Sequence, residues 1–229
     1  MAKKKVTTYK WDEFVRRLKS SIFHPKRQTK DIVFRLVFGN DRQALLQLYN
    51  VLHGTAYVDP HELQIVTLDN AIYISRKNDL AFLLAGSINM YEHQSTLNPN
   101  MPVRFLIYLA QEYQLLVEST DRSLYGSELI PLPTPQCVVF YNGTTDTPDE
   151  YELRLSSAFS NQDVEPAVEV VVKVININYG HNEHLMQGCG MLSQYAQFVA
   201  VTREYANKYD NREEAMNAAI EYCIGHGIL

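Results

Sequence analysis

Cysteine is scarce in this chain: Cys137, Cys189 and Cys223 are its three, an odd number with no CxxC spacing. That pattern argues against a disulfide framework and a cysteine-rich zinc site, and it leaves reduced thiols packed as small hydrophobes. Long apolar runs are missing as well. None approaches the roughly 20 residues that span a bilayer, and the opening MAKKKVTTYKWDEF has no secretory apolar stretch. A cytoplasmic protein without a membrane segment is therefore expected. No GxxxxGKS/T or GxGxxG loop follows an expected strand, so a phosphate-cradling loop is not read here. Nor does anything single out a serine for a Ser/His/Asp triad.

What is present suits a globular protein. The 229 residues are 46% hydrophobic and 21% charged, enough for one large domain or a core with an appended subdomain. The net charge of -5 hides an asymmetry. Residues 1–35 carry eleven Lys/Arg against three Asp/Glu, a formal +8, which leaves ten against twenty-three, or -13, for the remainder. A basic arm on an acidic body can meet a phosphate backbone with steep salt dependence, and a solvated basic helix reads the same way.

Periodicity gives the order of elements. Trp11 to Phe23 repeats apolar residues at helical spacing and ends at His24-Pro25. TKDIVFRLVFGN predicts a helix with Ile32, Val33, Leu36 and Val37 on one stripe, and Asp31 is placed to cap it. Asp41 to His53 predicts another, with Leu45, Leu48, Val51 and Leu52 inward and Gly54 closing it. Strands are expected over 62–69, 80–85, 88–91, 137–141, 151–155 and 168–177, and helices over 103–117, 184–209 and 212–224. LIPLPTPQ (129–136) reads as an extended linker.

The stretch from Lys77 to Tyr108 carries the chemistry. Asp79 enters the apolar run Leu80 to Ala85, Gly86 and Ser87 offer a turn, and Ile88 to Tyr91 leads to Glu92-His93-Gln94. In a hairpin, Asp79 and Glu92 fall across from each other at the same end. Two such carboxylates suit magnesium, which completes its shell with water and phosphate oxygens. The assignment requires that neither acid be buried against a permanent cation. Gln94 shares the face of Glu92, and His93 points the other way. Arg104 and Tyr108, four apart, share a helix face, with Gln111 beside them.

The block ND…YEHQST…NPNMPVR…Y resembles the core of the PD-(D/E)XK nuclease superfamily, and more narrowly the Rpn family of recombination-promoting nucleases and putative transposases. VVFYNG (138–143), LRLSSAF (153–159), VININYGHN (174–182) and EAMNAAIEYCIGHGIL (214–229) extend that resemblance. It implies an α/β, restriction-endonuclease-like core, a mixed central sheet flanked by helices, with N-terminal helices and a C-terminal helical pair. The corresponding division is a basic arm over 1–29 and a nuclease-like domain over 30–229, of which 183–229 forms the C-terminal helices. A variable tail often continues beyond the matching end in relatives.

The resemblance further implies a magnesium-dependent DNA endonuclease, with Mn2+ able to substitute, acting as a homodimer in recombination, mobile-element movement or defence. Asp79, Glu92 and Gln94 would be catalytic, with Asp79, Glu92 and the His93 carbonyl as metal ligands. Arg104 and Tyr108 would reach the phosphate, and Asp31 and Gln111 would be accessory. Gln94 stands where the wider superfamily has lysine; it can orient water but brings no positive charge. Against these roles stand a turn carboxylate for Asp79, an arginine-paired surface carboxylate for Glu92, a cap for Asp31, and an arginine lying over a tyrosine for the 104/108 pair. The alternative function is a nucleic-acid or protein binding module on an inactive nuclease fold. His181 and His184 offer too few ligands for a transition-metal site, and the asparagines around them suit turns.

Overall fold

The computed structural model of the chain describes residues 29–66 and 80–228, and within these not the side chains of 29–33 and 36. The expected helix over 11–23, the basic arm, the end of the strand begun at Glu62, and Asp79 lie outside the described residues. In order come α1 (Thr29–Asn40), α2 (Arg42–His53), a 3-10 turn (Pro60–Glu62), β1 (Gln64–Ile65), β2 (Leu80–Leu84) and β3 (Ser87–Gln94). Then follow α3 (Met101–Glu118), β4 (Thr134–Tyr141), β5 (Glu150–Arg154), a 3-10 turn (Leu155–Ala158), β6 (Val171–Asn176), α4 (Glu183–Gly188), α5 (Gly190–Lys208) and α6 (Arg212–Gly225). This is an α/β protein with a six-stranded mixed sheet flanked by helices. It divides into a sheet unit, Asp59–Asn176, and a helical unit drawn from residues up to Val58 and from Ile177 on.

In the sheet unit the strand order is β1-β2-β3-β4-β6-β5. β1 to β3 run antiparallel, β3, β4 and β6 are parallel, and β5 closes the far side antiparallel. The parallel step from β3 to β4 needs a crossover, which α3 supplies. α3 starts at Met101, earlier than its periodicity suggests, because Pro102 sits in the first turn, where a helix needs no donor. Its stripe of Met101, Phe105 and Tyr108 packs on Ile88 and Met90 of β3, Val139 and Tyr141 of β4, and Val172 and Val174 of β6. The opposite face of the sheet carries Phe82, Tyr91, Phe140 and Ile175, all buried. There the Tyr91 ring meets Phe82 and Phe140 edge-on, with centroids 5.1 and 5.3 Å away.

Two boundaries differ from the periodicity for local reasons. β4 begins at Thr134, inside the supposed linker, and includes Pro135. Thr134 N–H donates to the Gly86 carbonyl at 2.9 Å, so Pro135 turns its missing donor to the other side, where pairing with β6 starts only at Val138. β6 begins at Val171, and Val168 lies outside it, 52% exposed. The chain there wraps the Leu155–Ala158 turn instead: the Glu169 carboxylate accepts from the Ser156 and Val170 amides at 3.0 Å each. The hairpin turn is Ala85-Gly86, both at positive φ (50° and 76°), so Ser87 is already in β3.

In the helical unit, Asp41 caps α2 by accepting from the Gln43 and Ala44 amides, and Gly54 ends it in the left-handed region. The buried face of α2 is Ala44, Leu45, Leu46, Leu48 and Tyr49, with Val51 and Leu52 only half-buried. Phe34 of α1 meets Tyr195 of α5 edge-on at 5.8 Å. The expected helix over 184–209 is broken at Cys189, whose extended backbone (φ -128°, ψ 92°) separates α4 from α5. Gly188 lies so close to Val51 that a Cβ there would overlap its methyl groups. Among the described residues no helix is long and apolar enough to cross a membrane.

Candidate functional site

Strand alternation decides which groups meet. Ile88 and Met90 of β3 face α3, so Glu92 and Gln94 continue on that face, while Asn89, Tyr91 and His93 take the other. At Glu92 the apolar core gives way to charge, yet the side chain is still only 2% exposed. The loop after β3 returns the chain at Met101, so α3 passes back over the strand and sets Arg104 one turn in.

Arg104 Nη2 donates to Glu92 Oε2 at 2.9 Å. The same nitrogen reaches the Tyr108 hydroxyl at 3.1 Å and Nε reaches it at 3.3 Å, while Nη1 lies 3.3 Å from Met101 Sδ. The guanidinium carbon stands 5.7 Å from the centre of the Tyr108 ring. Gln94 Nε2 donates to Glu92 Oε2 from 3.4 Å. One carboxylate oxygen thus collects a guanidinium and an amide. The arginine side chain is 20% exposed, so it joins this buried acid to the surface.

Of the residues singled out from sequence, Glu92, Gln94, Arg104 and Tyr108 come together. The arginine partner foreseen for Glu92 is present, and the carboxylate it holds is buried rather than on the surface, an arrangement that counts against a metal on Glu92. His93 is buried on the other face, as alternation requires. Gln111 lies further along α3, its Oε1 buried without a hydrogen-bond partner. Asp31 belongs to α1, in the helical unit, and its side chain is outside the described residues, as is all of Asp79. The described register of the hairpin ends at Leu80 opposite Tyr91, the neighbours of Asp79 and Glu92 in sequence.

Three polar residues on the α3 face escaped the sequence reading. Tyr141 and Asn176 stand level with Gln94 in the parallel register, at the carboxyl ends of β4 and β6. The Tyr141 hydroxyl donates to the Thr145 carbonyl and accepts from the Thr145 amide, both at 3.1 Å, and Asn176 Nδ2 donates to Thr147 Oγ1 at 3.0 Å. Tyr141 ends the expected strand 137–141, whereas Asn176 lies inside the expected strand 168–177, one residue before Ile177. Glu112, buried on the Met101–Phe105–Tyr108 stripe of α3, is the third, and its helical spacing placed it there.

The cysteines answer the expectation of inert thiols. All three are buried and free, and burial pushes Cys137 up to about 12 and Cys223 up to about 11, with Cys189 raised as well. In the turn after β6, the His181 amide donates to the Asn178 carbonyl, and Arg203 holds Asn178 Oδ1 at 2.6 Å.

For a hard cation the donor chemistry at Glu92 fits: a carboxylate and an amide group, with oxygen as the ligand atom. The number is short. Among the described residues no three His, Cys, Asp or Glu side chains gather into a metal-holding group, and Arg104 already neutralises the Glu92 carboxylate. Compared with protein-family models, with curated proteins and with solved structures, the chain gives no match.

Proposed function

We propose that this protein is a metal-dependent DNA endonuclease with a restriction-endonuclease-like core, of the recombination-promoting type that its sequence resembles. The observation that supports this most is the meeting of Gln94 and Arg104 on the buried Glu92, with the Tyr108 hydroxyl behind Arg104, at the carboxyl end of a parallel strand. In open α/β sheets that edge is where ligands bind.

Glu92 would hold Mg2+ or Mn2+ together with Asp79 and the His93 carbonyl. When bound, the ion supplies positive charge to the phosphoryl oxygens and lowers the pKa of a coordinated water. The protein's own share is positioning. Gln94 orients the attacking water through its amide, and Arg104, backed by the Tyr108 hydroxyl, brings positive charge toward a phosphate oxygen. The N-terminal basic residues add sequence-independent affinity for the DNA backbone. A homodimer would present two such sites, one to each strand.

A second reading has its own observation. The Arg104–Glu92 ion pair is what an inactive descendant would keep as a structural remnant, and such a protein would bind DNA or another protein without cutting. Plasmid nicking in Mg2+ or Mn2+ by the wild type, Asp79→Ala and Glu92→Ala separates the two. Metal-dependent cleavage lost in both variants is expected. Metal-independent DNA binding without cleavage, or cleavage that survives in both variants, sinks the nuclease reading.

A further inference from the structure

The sheet ends on an open edge. β5 is its last strand, and among the described residues nothing pairs with its outer side. Two bonds at its ends fix which backbone groups face that side. The Asp149 carbonyl accepts from the Asn176 amide at 2.8 Å and the Leu155 amide donates to the Val170 carbonyl at 3.0 Å, both toward β6. Alternate residues repeat the direction, so Tyr151 and Leu153 also bond β6, while Glu150, Glu152 and Arg154 turn their N–H and C=O groups outward. The side chains of these three lie on the sheet face away from α3, whereas Tyr151 and Leu153 pack against the core beneath α3. Lys173 of β6 holds Glu150 at 2.7 Å, and Glu152 and Arg154, both about half-exposed, pair with each other at 2.6 Å.

We propose that this edge pairs antiparallel with the same edge of a second copy of the chain, about a two-fold axis at Leu153. The pairing gives the homodimer of the reading above a surface, and rests on that dimer rather than on a metal. Charge selects both the occupant and the register. Centred on Leu153, Glu152 faces Arg154 of the second copy and Arg154 faces Glu152 of the second copy. Each of these rungs joins opposite signs and exchanges two main-chain hydrogen bonds. Glu150 then faces Ser156. An axis at Glu150, Glu152 or Arg154 would set a charge against its own copy, and one at Tyr151 would set Glu150 against Glu152. At the axis the two Leu153 side chains meet on the α3 face and extend its apolar cluster. The loop from β5 to β6, tied to Ser156 through Gln162 and Glu169, leaves Phe159, Val164 and Val168 exposed and adds apolar surface beyond the strand.

Sedimentation velocity of the full chain through the micromolar range tests this with wild type, Glu152→Pro, Arg154→Glu and the swapped pair Glu152→Arg/Arg154→Glu. The Glu152 N–H points outward, so proline leaves the ladder to β6 whole and removes only a donor to the second copy. Wild type should dimerise. Glu152→Pro and Arg154→Glu should each weaken association about tenfold or more, and the swap should return it to within about threefold of wild type. Damage to the fold cannot give that recovery. A swap that fails to recover what Arg154→Glu lost overturns the pairing. A wild-type dimer that either single variant leaves unmoved also overturns it, and places the homodimer on another surface. A wild-type monomer refutes the pairing and the homodimer together. Plasmid nicking is scored separately, so a monomer that cuts DNA leaves the endonuclease reading standing.

Discussion

Replacing Arg104 with methionine asks how the sheet tolerates a buried acid. The pair is asymmetric, with side-chain exposures of 20% for Arg104 and 2% for Glu92. Breaking a buried pair from one side costs about 3–5 kcal/mol, because the remaining charge stays in a poor solvent. Protonation sets a ceiling on that loss. An ordinary glutamate, with a pKa of about 4.3, is neutralised at pH 7 for 2.7 units at about 1.36 kcal/mol each, or about 3.7 kcal/mol. Arg104→Met should therefore lose about 3–4 kcal/mol at pH 7.

The pH dependence has a definite sign. Above the ordinary pKa the folded variant holds a proton that the unfolded chain releases, so its stability relative to wild type falls as pH rises. At pH 5 the same reasoning leaves a deficit of about 1 kcal/mol, 0.7 units at about 1.36 kcal/mol each. Glu92→Gln alone leaves Arg104 its Tyr108 hydroxyl and water, and should cost about 1 kcal/mol. The double variant should lie near Glu92→Gln rather than near the sum, a coupling of about 3–4 kcal/mol. Urea unfolding at pH 5 and pH 7, with slopes checked for equality, measures all of this. A loss below about 1 kcal/mol at pH 7, or one equal at both pH values, refutes the account of Glu92 as a buried charge that depends on Arg104.

Three further outcomes follow from packing. Gly188→Ala should destabilise by about 1–3 kcal/mol through overlap with Val51, and adding Val51→Ala should recover most of it; thermal unfolding of the three proteins decides. Ala85 holds φ 50° in the hairpin turn, so Ala85→Gly should stabilise by up to about 1 kcal/mol, and a lower urea midpoint counts against that turn. Burial pushes the Cys137 thiol up to about 12, so almost none of it is thiolate at pH 8. A chromogenic disulfide reagent should find no fast-reacting thiol in the native protein at pH 8 and three under denaturing conditions; stoichiometric native labelling of Cys137 contradicts this.

Local signals carried the elements that obey one period. α2 was legible because Asp41 and Gly54 bracket a helical stripe, and the β2–β3 hairpin because two apolar runs flank a glycine. What escaped depended on neighbours distant in sequence. Pro135 reads as linker until β6 is known to start too late to need its donor. The break at Cys189 interrupts a stretch whose apolar spacing continues across it, and Gly188 shows its reason only when Val51 is beside it. Val168 has the composition of a strand, but the Glu169 carboxylate ties the chain to Ser156 before pairing can begin.

The site divided in the same way. Arg104 and Tyr108 were readable as a pair because four residues make one helical turn, whereas their hold on Glu92 depends on how the loop after β3 returns α3 across the strand. That return also decides which polar groups at the sheet edge are available for chemistry. Tyr141 and Asn176 stand level with Gln94, but their polar atoms are committed to Thr145 and Thr147, so they hold the loop between β4 and β5. Glu92 is joined instead to an arginine that reaches solvent, and Gln94 to Glu92. Among the described residues, the polar groups singled out from sequence at the carboxyl ends of the parallel strands therefore gather where β3 meets α3.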